Sequence, residues 1–282
     1  MKKILVPCDF SETAMDALKF AIELARSANA ALHLLHVIEF PPVYESVMVA
    51  PTNTEARLMN EFRHHALDKF NAMMNDPAAD GVAISVEVQA GGVCPVILEV
   101  VNRQGIDLVI MGSYGARGFR ELLIGSNAEK VVKRSPVPVL VVKHAISRAI
   151  KHIVFPNALD IPNQDALVDE VKSLQALFDA QLHIVWINTP LNFMSDRISH
   201  EKLNEFVRTY ALRNYTTHVF NHNHEEGGIL AFTRLIDGDL IALGTHGRTG
   251  VEHVLYGSLA EDLVNHGEWP VWSFAFGREV HA

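Results

Sequence analysis

Two cysteines in 282 residues, Cys8 and Cys94, are too few for a disulfide framework and suit a reducing compartment. No apolar run approaches the roughly 18 residues that span a bilayer as a helix, so no membrane partner is expected. The opening residues hold two lysines but an apolar run of only three before Pro7. That is unlike a secretory signal, and the expected location is cytoplasmic. Positive charge is in the minority, with 24 Lys and Arg against 33 Asp and Glu, for a net charge of −9 and no basic block. A phosphate backbone would meet net repulsion, which argues against nucleic acid. Two nucleotide signatures are missing as well: there is no Gly-x4-Gly-Lys-Ser/Thr loop, and no Gly-x-Gly-x2-Gly follows the first apolar run. What is present is an ordinary globular composition, 49% hydrophobic and 20% charged.

The chain contains one long repeat. Lys3-Ile4-Leu5-Val6-Pro7-Cys8-Asp9 is matched by His152-Ile153-Val154-Phe155-Pro156-Asn157-Ala158, and Leu35-His36-Val37 by Val185-Trp186-Ile187. Late in each half stand Met111-Gly112-Ser113-Tyr114-Gly115 and Leu243-Gly244-Thr245-His246-Gly247. Pro7 and Pro156 lie 149 positions apart but Gly112 and Gly244 only 132, so the second copy is shorter. The missing length is assigned to the stretch from Pro41 to Asn60. A unit of roughly 140 residues is domain-sized rather than a solenoid element. The expected domains are 1–145 and 149–282, joined around His144 to Arg148 without a Gly- or Ser-rich spacer.

Within each copy, short apolar runs alternate with amphipathic stretches. Runs at 3–7, 32–38, 82–88, 106–111 and 137–142 read as strands buried on both faces, and 151–155, 182–187, 216–220, 239–243 and 270–274 repeat them. Ala14, Leu18, Ala21, Ile22 and Ala25 make a helical stripe after Ser11, a candidate N-cap. Met59, Phe62, Ala66, Phe70 and Met73 make another. Alternation of this kind implies right-handed crossovers and a doubly wound α/β domain with a five-stranded parallel sheet, twice over.

The sharpest pattern is Gly112-x2-Gly115-x9-Gly125-Ser126, repeated as Gly244-x2-Gly247-x9-Gly257-Ser258. Glycines directly after a buried strand let the backbone turn and approach a ligand. Gly125-Ser126 then opens a helical stretch whose N–H groups and dipole favour an anion. Together these are parts for a phosphate cradle. The plainer alternative is that the glycines serve tight turns and helix-to-sheet packing.

At these residues the chain resembles the universal stress protein family. The landmarks are Pro7-Cys8-Asp9-Phe10-Ser11, Leu35-His36-Val37, Met111 to Gly115, Gly125-Ser126-Asn127-Ala128-Glu129-Lys130 and Pro136 to Val142, with second copies at Gly244 to Gly250 and Gly257 to Glu261. The likeness covers nearly the whole chain as a tandem of two domains. It implies strand order 3-2-1-4-5 and, in the ATP-binding branch of the family, an adenine nucleotide between strands 1 and 4, with magnesium as a candidate companion. That is where a sheet of this order reverses and where open α/β sheets bind ligands. By the same resemblance Pro7, Asp9 and Val37 line the adenine and ribose end, and Met111, Gly112, Gly115, Gly125, Ser126 and Asn127 hold the rest. Gly244, Gly247, Gly257 and Ser258 are the corresponding candidates in the second half, which has Ala158 where the first has Asp9. Because the fifth strand mediates dimerisation in single-domain members, the two halves are expected to pair internally as a pseudo-dimer, with further homo-oligomers left open. The resemblance implies an ATP-binding stress-response or regulatory protein acting through conformation or through unknown protein partners. Slow ATP hydrolysis or autophosphorylation is the enzymatic alternative, and a nucleotide-free scaffold the third.

Other candidates have dull readings beside them. His218, His222 and His224 with Glu225 have even spacing that could suit zinc, but with no cysteine nearby they are read as a solvated strand end and loop, and no metal site is expected. His64-His65 is read as a solvated helix face and Cys8 as a small filler beside Asp9. Arg117 and Arg248 could approach phosphates or serve surface ion pairs. No catalytic constellation or general base is assigned.

Overall fold

The computed structural model describes residues 1–39, 53–113, 125–146, 148–159, 163–246 and 253–276. In the first half the strands are β1 (Lys3–Pro7), β2 (Ala31–Ile38), β3 (Ile84–Ala90), β4 (Leu108–Gly112) and β5 (Val139–Val142). The helices between them are α1 (Glu12–Ala28), α2 (Asn53–Met74), α3 (Val93–Gln104) and α4 (Ser126–Arg134). The second half repeats the order with β6 (His152–Pro156), α5 (Asp165–Phe178), β7 (Gln181–Asn188), α6 (Asp196–Thr209), β8 (Tyr215–Asn221), α7 (Glu225–Leu235), β9 (Leu240–His246), α8 (His253–His266) and β10 (Val271–Phe276). Among the described residues no helix is long and apolar enough to cross a membrane.

All ten strands form one sheet in the order β3-β2-β1-β4-β5-β10-β9-β6-β7-β8. Each half is therefore a parallel 3-2-1-4-5 sheet, as expected. The halves meet at an antiparallel seam that pairs Val271 with Val141, Trp272 with Leu140 and Ser273 with Val139. Pro138 and Pro270 directly precede β5 and β10, a position where a missing N–H is tolerated. Those strands are edges only within a half; in the molecule they are central.

The apolar stripes dictate the layers. Ala14, Leu18, Ala21 and Ala25 of α1 are buried on the sheet, and Ser11 Oγ caps this helix by accepting from Ala14 N. One face of the sheet carries a core built from α1, α2, α5 and α6, and the other a core built from α3, α4, α7 and α8. Both cores run across the seam. On one side Phe20 of α1 lies 6.2 Å from Phe178 of α5, ring to ring. On the other, Lys133 of α4 pairs with Glu261 of α8 at 3.1 Å. Buried Lys143, just after β5, donates to the carbonyls of Asn265 and Gly267 at the end of α8. The first half thus caps a helix of the second.

The length difference between the copies corrects one expectation. It does not lie only in a connection, because helix begins at Asn53 and α2 has 22 residues against 14 in its counterpart α6.

Candidate functional site

Parallel strands of order 3-2-1-4-5 send the connections after β1 and β4 to opposite faces, which leaves a crevice at their carboxyl ends. A cleft of about 560 Å3 occupies that position in the first half. Pro7, Asp9, Val37, Met111, Gly112, Gly125, Ser126 and Asn127 all line it. Gly115 and Gly247 lie outside the described residues, as do Arg117 and Arg248, and of Gly257 and Ser258 only their place on α8 is described.

Three elements shape the cleft. After β1 the chain turns sharply: Asp9 Oδ1 accepts from Ser11 N at 3.0 Å, and Phe10 sits in the left-handed region at φ 66°. A non-glycine residue at positive φ is costly and is held there by its surroundings. Here they are aromatic, with the ring of Phe10 4.9 Å from His36 and 5.1 Å from Phe70, and Lys69 Nζ 4.6 Å from its centroid. His36 Nδ1 lies 2.8 Å from the Cys8 carbonyl, tying β2 to this turn. Burial pushes the Cys8 thiol up to about 11, so it is a packed filler and not a reactive thiolate.

Across the cleft α4 begins at Ser126 after Gly125, which supplies no capping side chain. The first N–H groups of a helix have no intrahelical carbonyl, and here they open on the cleft with the positive end of the helix dipole. Ser113 Oγ, fully buried and lining the same cleft, has no hydrogen-bond partner among the described residues.

Gly112 meets a different need from the one its position suggests. A Cβ there would stand 2.7 Å from the Thr13 carbonyl carbon and 2.9 Å from Ala14 N, so the missing side chain admits the first turn of α1. At Gly244 the same atom would meet the tips of Leu167 and Phe276 at 2.4 and 2.6 Å. Side-chain tips can rotate away and backbone cannot. Gly112→Ala is therefore expected to cost about 1–3 kcal/mol of stability, and Gly244→Ala distinctly less. Urea unfolding of the two variants checks this, and equal losses would refute it.

The second half is built differently at the matching place. Asn157, the counterpart of Cys8, donates Nδ2 to Gln164 Oε1 at 2.6 Å and accepts Leu159 N on Oδ1 at 2.7 Å, both side chains being buried. Where His36 and Val37 are half-buried along the cleft, Trp186 and Ile187 are each 6% exposed. Thr245 repeats the position of Ser113 and its hydroxyl, too, is buried without a partner among the described residues.

The histidine set is not gathered. His218 lies 2.7 Å from Thr216 within β8, whereas His222 Nδ1, beyond the strand, contacts the backbone of His224. Among the described residues no group of three His, Cys, Asp or Glu side chains is placed to hold a metal. Sequence reasoning missed α2 as a wall of the cleft: Phe62, His65, Ala66 and Lys69 line it. Their spacing of three and four is the available signal, but by sequence alone Phe62 belongs to the apolar stripe and His65 to the solvated face.

Comparison with known proteins agrees with the doubled architecture. The model of the universal stress protein family matches residues 1–143 and again 150–274. Universal stress protein MJ0531 of Methanocaldococcus jannaschii is 32% identical over 142 residues, covering 50% of this chain and 82% of that protein. Universal stress protein MJ0577 of the same organism is 33% identical over 153 residues, covering 50% and 94%. A solved universal stress protein from Archaeoglobus fulgidus covers 98% of both chains with a TM-score of 0.77 at 20% identity, a likeness of fold.

Proposed function

The chain belongs to the universal stress protein family, and from that premise we propose that its first half binds one adenine nucleotide, ATP, and acts in stress response through a nucleotide-dependent conformation. The carrying observation is the uncapped start of α4 facing the Asp9 turn across the cleft. One wall offers amides and a positive dipole to phosphates, and the other a carboxylate to ribose hydroxyls. Charge fixes the orientation, because a carboxylate beside a triphosphate would repel it. The cleft volume of about 560 Å3 lies in the range of small-molecule sites. The Ser113 hydroxyl, without a partner among the described residues, is a further group that a bound ligand would satisfy. Magnesium enters this reading only as the counter-ion of the triphosphate, and no residue is assigned to it.

The second half is proposed to carry no nucleotide. Trp186 and Ile187 are buried where His36 and Val37 are half-buried along the cleft, and Ala158, beside the buried Asn157–Gln164 pair, stands where the first half has the Asp9 carboxylate. Titration calorimetry with ATP is expected to give one site per chain. Asp9→Ala should weaken binding by about 1.5–3 kcal/mol, the scale of a hydrogen bond to a charged group. ATP at a hundred times its dissociation constant should stabilise the chain by about 2.7 kcal/mol. No thermal shift in millimolar ATP would favour a scaffold without nucleotide, and released phosphate or labelled protein would favour an enzyme.

A further inference from the structure

The α2 face that lines the cleft belongs to no pattern of the glycine motifs. Phe62, His65, Ala66 and Lys69 stand at i, i+3, i+4 and i+7, one face of a helix. Ala66 is 2% exposed and closes the base of the groove, while Phe62 is 52% exposed on its rim. Its neighbour in the stripe, Phe70, is wholly buried against Phe10. Two contacts tie the helix to the turn after β1, Phe70 against Phe10 and Lys69 Nζ over the same ring. The loop that carries Asp9 and the helix that carries Phe62 are thus fastened together. A large aromatic surface kept out of the core, on the wall of a cleft whose opposite side offers helix amides, matches a planar heterocycle joined to an anion.

We propose that Phe62 and His65 form the base-binding wall of the nucleotide site, Phe62 stacking on the purine and His65 flanking it. This inference rests on the nucleotide reading above. It divides the site by chemistry: α2 takes the base, the Asp9 turn the ribose, and the start of α4 the phosphates.

The test measures adenosine, ATP and tripolyphosphate binding to the full chain and to Phe62→Ala, Phe62→Trp and His65→Ala. Because Phe62 is half in solvent, the alanine variant should melt with the unmodified chain, and circular dichroism verifies that. Phe62→Ala is expected to weaken adenosine and ATP alike by about tenfold, the scale of one aromatic stack. Tripolyphosphate binding should stay unchanged and Phe62→Trp should bind at least as well as the unmodified chain. His65→Ala should act in the same direction as Phe62→Ala, more weakly. If the unmodified chain binds ATP and adenosine but Phe62→Ala binds adenosine equally well, the base wall is refuted while the nucleotide reading stands. If the unmodified chain binds neither, both fall together.

Discussion

Trp272→Ala is expected to lower the stability of the chain by about 3–5 kcal/mol, the cost of emptying a large aromatic site in a core. Trp272 heads the fully buried side chains by size and is 2% exposed. It stands on β10 opposite Leu140 of β5 and beside Ala242 of β9, so its ring is enclosed by residues of both halves. Leu140, Val142 and Phe276 share its cluster, on the face where α1 and α5 meet. The void could close only if the two halves moved together, and the antiparallel pairing at the seam resists that. Urea unfolding followed by circular dichroism measures the loss. A cost under about 1 kcal/mol, the level of an ordinary surface substitution, would show that the indole does not bind the halves together.

Acidification from pH 6.5 to 4 is expected to weaken the second half through its histidines. His183 on β7 has Nε2 3.0 Å from His152 Nδ1 and Nδ1 2.8 Å from Thr216 Oγ1, which also contacts His218 Nε2 at 2.7 Å. Burial first, and then the neighbouring His152 and His218, push His183 down to about 4, and burial lowers His218 as well. A histidine whose folded value is depressed takes up protons more readily when unfolded. Its contribution is therefore complete above about 6.5 and disappears as pH falls towards 4. The first half has a different arrangement at the same sheet positions. His33 contacts Ser85 at 2.8 Å and Glu87 at 2.9 Å. Burial opposes ionisation of Glu87, but hydrogen bonds from Gln89, Arg103 and His33 prevail and hold it below the usual carboxylate range. His33 thus faces a carboxylate, whereas His183 faces two more imidazoles. Unfolding at pH 7.5, 5.5 and 4.5 reads the loss, and His183→Gln should flatten it. An unchanged slope in that variant would refute the assignment.

The fold was legible because its rules are local and repeated. Runs such as 3–7 and 32–38 returned as β1 and β2 within a residue, since strands buried on both faces must be apolar throughout. Ser11 capped α1 as its hydroxyl and position suggested. The glycine pattern includes Gly112 and Gly125, which line the cleft, but leaves each glycine's task open, and Gly112 packs against α1. Spacing alone cannot tell a close helix from a close ligand. The rotation of α2 was invisible for a related reason, because Phe62 and Phe70 are chemically alike and only tertiary packing turns one outward. The histidine chain at His152, His183 and His218 was hidden by distance in sequence. Strands β6, β7 and β8 bring it together, and no window along the chain spans it.

The β5–β10 seam has an evolutionary corollary. Two identical subunits meeting at such a junction must carry the same cavity twice, and any drift in one is copied in the other. Covalent linkage breaks that symmetry: each lobe mutates alone, yet the stoichiometry of unlike lobes stays fixed at one to one and subunit exchange is abolished. A difference such as Trp186 in one copy against His36 in the other can then persist without being imposed on both.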